Sequence, residues 1–358
     1  MLVQKSRTTL GHRRSSLQTK GTIPRILCHL VLLFVLLARI ELHRRGHRSC
    51  DRSKGKGVLW EAKFLEYIPS AWEVDWKTNI VSYQNDPCIP LLNTTGARLL
   101  EDYINVVHSY KVNRAKKSDE NSPNEILSHF VYLLGSRKFQ VAIEPLIGYF
   151  RHPYAIPECV PKDQFPVSVL NLSYIVFRGM PLTIFESVYP GRKFLFDLGL
   201  NGPNRSLEWL DHEYRQNGIQ FDGIWGWDSR PFEPVTFWQN VPKSTYSKLH
   251  LINVPVANNF SDMGHPFQIV KRVFRKGDYI ALKLDIDAPG YEQTLADELL
   301  YDDELSEMIA DFFYEKHLGA PHFPYHRLPH DDSVHNLKSV IEFFSSLRER
   351  GLRAHYWV

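Results

Sequence analysis

Cysteine is scarce: Cys28, Cys50, Cys88 and Cys159 are the only four in 358 residues, and no two have C-x-x-C spacing. That excludes a zinc ribbon and a disulfide-dense scaffold. An excess of one charge is also missing, since 43 Lys and Arg face 40 Asp and Glu. About 13 of the basic residues but roughly two of the acids fall within 1–56, so the rest of the chain is mildly acidic. A phosphate backbone requires a positive footprint on the folded surface, which speaks against nucleic acid as a partner. Long apolar runs are absent too. The longest stretch without a charge in the N-terminal part, 26–38, would span roughly 20 Å as a helix, short of the roughly 30 Å hydrocarbon core. No internal repeat or low-complexity tract occurs.

Lys5, Arg7, Arg13, Arg14, Lys20 and Arg25 precede that apolar run with no acid among them, the layout of a targeting segment. A long basic stretch over 1–25, and no small-x-small pattern soon after Ala38, favour a signal anchor over 26–42. A cleavable signal and an organelle transit peptide are the alternatives. Arg44, Arg45, Arg48 and Arg52 make the second flank basic as well, so charge counting leaves orientation open. Residues 43–57 read as a flexible stem. The expectation is a single-pass membrane protein facing the lumen of the endoplasmic reticulum or Golgi. Sequons at Asn93, Asn171, Asn204 and Asn259 agree with it.

Residues 58–164 form an accessory region in which helical spacing predicts helices over 97–112 and 124–134, making this part small and mostly helical. Pro145, Pro153 and Pro157 break the connector that follows. Glu144-Pro145 there reads as a packing segment or as a substrate or cofactor loop. From 165 to 358 the pattern changes. Short apolar, β-branched and aromatic runs predict strands over 193–198, 223–227, 249–256, 279–285, 311–315 and 353–357. These alternate with helices over 183–189, 206–216, 234–240, 266–275, 291–300 and 333–350. Such alternation specifies an α/β domain with a mainly parallel central sheet, Rossmann-like in class.

Chemistry concentrates at the predicted strand ends. The first strand runs into Asp197-Leu-Gly199-Leu-Asn201-Gly202, a turn that lets backbone approach a nucleotide at the carboxyl end of the sheet. Asp197 can accept from an ammonium or a ribose hydroxyl, and Asn201 can hold an amino-acid end. The next strand ends in Asp228, placed to take two ribose hydroxyls or to start a turn before Ser229-Arg230-Pro231. Trp225 and Trp227 either stack on a base or pack. In 278–292, Lys283, Asp285 and Asp287 alternate along one strand face, and three charges there are costly unless paired or gathered in a site. His317, His322, His326, His330 and His335 crowd one segment with Asp331 and Asp332; its prolines forbid one helix, so it reads as a loop over the cleft that contacts substrate, with a Zn or Mn site as the alternative.

The ordered segments FDLGLNG, GWDSRPFEP, LHLINVPVAN, DYIALKLDIDAPGYE and DFFYEKH together resemble the FkbM-type methyltransferases over roughly the final 160 residues. Leu200 stands where a small alanine is usual, and Ala288-Pro289 lengthens the segment before Gly290. The resemblance implies S-adenosylmethionine as cofactor, held by Asp197, Gly199, Asn201, Gly202 and Asp228. It also implies methyl transfer to a hydroxyl of a small-molecule or glycan acceptor, with Asp285, Asp287 and His317 as candidate bases and Lys283 positioning charge. A second reading is a type II glycosyltransferase of the GT-A kind, in which Asp285 and Asp287 hold a metal and a nucleotide sugar. A third is a degenerate, membrane-tethered interaction module.

Overall fold

The computed structural model describes residues 62–85, 98–99, 101–103, 105–106, 126–147, 172–176, 180–202, 206–262, 264–316 and 336–357. The basic tail, the apolar run and the stem lie outside them. Among the described residues no helix is long and apolar enough to cross a membrane.

Six strands form one parallel sheet: β4 (Lys193–Leu198), β5 (Gly223–Trp227), β6 (Leu249–Ile252), β7 (Tyr279–Leu284), β8 (Asp311–Tyr314) and β9 (Arg353–Tyr356). Their order is β6-β5-β4-β7-β8-β9. The chain therefore winds outward one way from β4 and then returns to wind the other way, the 3-2-1-4-5-6 order of Rossmann-like sheets. Burial on both faces is why these strands are apolar runs: all six residues of β7 are buried. Phe196, Trp225 and His250 stand side by side on β4, β5 and β6 and stack, with centroids 5.0 and 4.6 Å apart. Both tryptophans of β5 thus serve packing, Trp227 being fully buried.

The crossovers are helical. α4 (Ser206–Gln216) buries Leu207, Leu210 and Tyr214, an i, i+3, i+7 stripe. Before it, α3 (Leu182–Val188) leads into β4, and after it come α5 (Pro234–Asn240), α6 (Lys243–Tyr246) and α7 (Pro266–Val273). α8 (Pro289–Tyr301) and α9 (Asp303–Met308) precede β8. α10 (Leu337–Glu349) begins at Asn336, whose side chain accepts from the Ser339 N–H, and buries Leu337, Val340, Ile341, Phe344 and Leu347. The six strands and the six expected helices are found to within a few residues; β6 ends at Ile252, four short of expectation, α10 starts at Leu337, four after the expected 333, and the short α6 and α9 were not expected.

The accessory region departs from the mostly helical expectation. α1 (Ala71–Thr78) and α2 (Ile80–Asn85) accompany a three-stranded antiparallel sheet of β1 (Ala62–Ile68), β2 (Ser128–Leu134) and β3 (Arg137–Ile143). The helix expected over 124–134 is therefore mostly strand. Phe130 and Leu134 are spaced by four, which suits either period; the hairpin turn at Gly135, with φ +62°, decides for strands. Phe130, Tyr132, Val141 and Ile143 bury one sheet face. Of the helix expected over 97–112, only 98–99, 101–103 and 105–106 are described, all helical.

Residues Leu59–Val358 cluster as one compact unit, and buried charge joins its parts. Arg348, fully buried on α10, donates to Glu144 Oε1 at 2.8 Å, to the Glu144 carbonyl at 2.7 Å, to the Tyr67 hydroxyl at 2.9 Å and to the Ala354 carbonyl at 2.9 Å. Glu144 also meets His355 Nδ1 at 2.9 Å, so the Glu144-Pro145 segment packs. Glu73 accepts from Tyr67, Ser128 and the Leu146 N–H. At the amino ends of β7, β8 and β9, Asp311 accepts from Tyr279, Tyr214 and Arg353. Truncating Arg348 leaves two buried carboxylates short of a cation, so Arg348→Ala is expected to lose about 3–5 kcal/mol in denaturant unfolding. Lys338→Ala, which breaks an exposed pair with Glu342, should lose less than about 1 kcal/mol.

Candidate functional site

The carboxyl ends of β4, β5 and β7 meet at the point where the winding reverses. Gly199 has φ +94°, and a Cβ there would lie 1.5 Å from the Asp285 carbonyl oxygen. The close approach that requires glycine is thus made by β7's own backbone. Gly199 and Leu200 both donate to the Trp227 carbonyl, at 3.1 and 2.8 Å, which stitches the turn to β5. Leu200 is fully buried against Gly226, where an added methyl would come within 3.1 Å of it. The larger side chain in the turn is accommodated by a strand glycine and points into the core. Asn201 follows at φ +48° and Gly202 at φ +94°; a Cβ on Gly202 would meet nothing within 4 Å.

Between β4 and β7 lies a buried ion triad. Asp197 and Lys283 are register partners, and both are fully buried. Lys283 Nζ sits 3.2 Å from Asp197 Oδ1 and 2.9 Å from Asp285 Oδ2, and donates to the Gly199 carbonyl at 3.2 Å. Ser206 at the start of α4 donates to the other Asp197 oxygen at 2.8 Å. Burial pulls the Lys283 ammonium down, and the two carboxylates more than reverse it, holding it above its ordinary value. For Asp197 burial prevails over Lys283 and Ser206 and raises the carboxyl. Asp285 is held below the usual range: burial opposes this, but Lys283, a hydrogen bond shared with Glu315 and one from Trp357 prevail. Lys283 is therefore a permanent cation that fixes two aspartates, and is no proton acceptor.

On the β5 side is a cleft of about 390 Å³ bounded by Asn201, Gly202, Asp228, Arg230, Phe232 and Phe237. That is within the range of small-molecule clefts, about 300–1,000 Å³. Asp228 Oδ1 accepts from the Arg230 backbone N–H at 2.9 Å and from Arg230 Nε at 3.1 Å, and Oδ2 accepts from Nη2 at 2.8 Å. It therefore does start the turn. Burial works to raise this carboxyl, but Arg230 and the Gly202 N–H outweigh it, so it is held below its ordinary value. Asn253, beyond β6, pins the same turn by donating to the carbonyls of Asp228 and Arg230 at 2.6 and 2.9 Å. Phe232 and Phe237 stack at 4.5 Å and form an apolar wall.

On the β8 side, Asp285, Asp287 and Glu315 bring one oxygen each within 4.8 Å of one another, a set able to hold a divalent cation. The expected alternation brings together Lys283, on β7, and Asp285, one residue past its end. The strand ends at Leu284, and Asp287, at φ +54°, is exposed beyond it. Glu292 turns back, fully buried, and accepts from the Ile286 N–H at 2.6 Å, which shapes the segment that Ala288-Pro289 lengthens. His317 and the other histidines up to His335 lie outside the described residues. Lys316, buried beside Phe343 at 4.4 Å, donates to Gln293. Among the described residues it has no carboxylate at ion-pair distance. Burial, partly offset by Asp297, lowers its ammonium to about 8.

Glu315, Lys316 and Arg230 were not singled out by the sequence. Glu315 had a usable signal, because an acid at the end of the strand beside β7 must lie near Asp285. No family model, curated protein or solved structure matches the chain.

Two expected outcomes follow from this geometry. Gly199→Ala drives a methyl into backbone and should cost more than about 3 kcal/mol in denaturant unfolding, whereas Gly202→Ala meets open space and bears only the positive-φ cost of about 1–3 kcal/mol. Lys316 binds its proton up to pH 10.5 when unfolded but only to about 8 when folded, so its burial lowers stability fully below pH 8. Lys316→Met should then melt above the wild type at pH 7, with the advantage shrinking as pH rises from 8 to 10.5.

Proposed function

We propose that residues 165–358 form a Rossmann-like methyltransferase domain that binds S-adenosylmethionine and methylates a hydroxyl of a small-molecule or glycan acceptor. One observation carries this reading. The turn after β4 and the acid ending β5 converge on a single cleft at the carboxyl ends of β4 and β5, on the edge of the sheet where open α/β sheets bind nucleotides and next to the switch point between β4 and β7. Asn201, Gly202 and Asp228 line that cleft. In the proposed complex Asp228 takes the ribose hydroxyls and the Phe232–Phe237 wall borders the adenosine. Asp197 and Gly199 act one layer down, holding the turn through Ser206, Lys283 and β7 rather than touching the ligand.

The reaction joins the acceptor oxygen to the methyl carbon as the carbon–sulfur bond breaks, the electron pair stays on sulfur, and S-adenosylhomocysteine leaves. The hydroxyl proton passes to a base, for which Asp285, Asp287 and His317 are the candidates. Asp287 is the most exposed of the described ones. Lys283 keeps Asp285 ionised. The proposal places the domain on the luminal side of a secretory membrane, tethered through 26–42. Asn259, exposed in a turn with its side chain accepting from the Ser261 N–H, is consistent with an accessible sequon.

A second reading, the metal-dependent sugar transferase, is favoured by the grouping of Asp285, Asp287 and Glu315. Calorimetry separates the two. The methyltransferase reading expects heat on titrating S-adenosylhomocysteine, and no binding at millimolar ligand to a folded sample ends it. Binding of a sugar nucleotide only with Mn²⁺ present would instead support the second reading. Asp228→Ala is expected to weaken S-adenosylhomocysteine by about ten- to a hundredfold, the loss of charge-assisted bonds worth roughly 1.5–3 kcal/mol. It should also lower stability by about 0.5–2 kcal/mol, because the same carboxylate starts the turn. A stability loss with unchanged affinity would detach Asp228 from the ribose.

A further inference from the structure

The Asp228 carboxylate is already engaged. Arg230 grips it with Nε and Nη2, one nitrogen on each oxygen, while its Nη1 donates to Asn201 Oδ1 at 2.5 Å. One guanidinium thus bridges the turn after β4 and the tip of β5, occupying the acceptor atoms on both sides of the cleft. Beyond these bonds it is held only by the charge of Asp287, which acts on it at a distance. The Arg230 side chain is 57% exposed, and among the described residues it has no further hydrogen bond. Its backbone, by contrast, is fixed independently: the Arg230 N–H goes to Asp228 Oδ1 and the carbonyl accepts from Asn253. The side chain can leave without the turn unfolding.

We infer that Arg230 is a specificity-determining latch on the nucleotide cleft, which a ribose diol displaces from Asp228 on binding. The inference rests on the reading of Asp228 as the ribose acid. Two hydroxyls present two donors to the same two oxygens that the guanidinium fork now uses, and Oδ1 already accepts the Arg230 N–H as well, so diol and latch compete for the lone pairs that face the cleft. A ligand without the diol has no such exchange to make and enters with the latch closed. Arg230 therefore lowers affinity for ribose ligands while leaving deoxy ligands untouched. Because the guanidinium end of the pair is exposed, salt screens it in part although Asp228 itself is buried. Raising ionic strength should then strengthen ribose binding, opposite to what salt does to a charge-driven association.

The test is calorimetry of wild type, Arg230→Ala and Arg230→Gln with S-adenosylhomocysteine and with its 2′,3′-dideoxy analogue, at low and high salt, after thermal melts establish that the variants fold. Breaking a pair whose cation is exposed, worth about 1 kcal/mol, should tighten S-adenosylhomocysteine by about two- to fivefold in both variants. Affinity for the dideoxy analogue should stay the same. Added salt should bring the wild type toward the variants, whose own affinity changes little. If the wild type binds and the variants bind equally, the latch is overturned while the cofactor reading stands. Weaker binding by the variants overturns it too, and makes Arg230 a direct ligand contact. Binding seen only in the variants supports the latch. If none of the three binds, the cofactor reading fails and the latch with it.

Discussion

The Lys283 ammonium, enclosed by Asp197, Asp285 and the Gly199 carbonyl, is the interaction on which the rest of the site depends. A buried ammonium and a buried carboxyl on neighbouring strands tolerate each other's desolvation only as a pair, and removing one partner of a buried ion pair typically costs about 3–5 kcal/mol. The triad lies where the chain reverses its winding, between the ends of β4 and β7, and among the described residues no crossover helix directly joins these two strands. Charge therefore links two strands that no single crossover joins. It also sets the electrostatics above it, because a permanent cation keeps Asp285 ionised at the rim.

The turn after β4 inherits its shape from that triad. With β7 drawn against β4, the Asp285 carbonyl occupies the space a side chain at residue 199 would need, and Leu200 is directed into the core over Gly226. Asn201 and Gly202 are then presented to the cleft in left-handed conformations. A second set of buried charges, around Arg348, Glu144 and Asp311, acts on β8, β9 and the small antiparallel sheet. The accessory strands are thus an integral part of the unit, since Arg348 on α10 and Glu144 after β3 leave each other unpaired if either segment comes away.

Periodicity in 165–358 was legible because parallel strands buried on both faces are nearly uninterrupted apolar runs bounded by turns, and their helices carry 3.6-residue stripes. Asp197 and Lys283 could be read as site-associated, but their pairing could not, since it depends on two strands 86 residues apart being neighbours in register. The 124–134 segment was misread for the opposite reason. Phe130 and Leu134 satisfy both periods, and the turn at Gly135 together with hydrogen bonding to β1 and β3 selects the strand. Arg230 looked like one residue of a polar turn. Its grip on Asn201 requires the ends of β4 and β5 to be side by side.

The sequence by itself determined the α/β class, the positions of the six parallel strands and the fact that acids and glycines gather at their carboxyl ends. Those features arise from local spacing, burial preference and backbone freedom, all written in short stretches of chain. Tertiary structure alone decided which carboxylate lines the cleft and which lies against a buried ammonium. It also decided that the glycine of the first turn is required by β7's backbone, and that an arginine occupies the acid at the tip of β5. Each of these is a pairing across strands, and the free energy of a charge or a Cβ is set by what the fold brings against it, which neighbours in sequence do not encode.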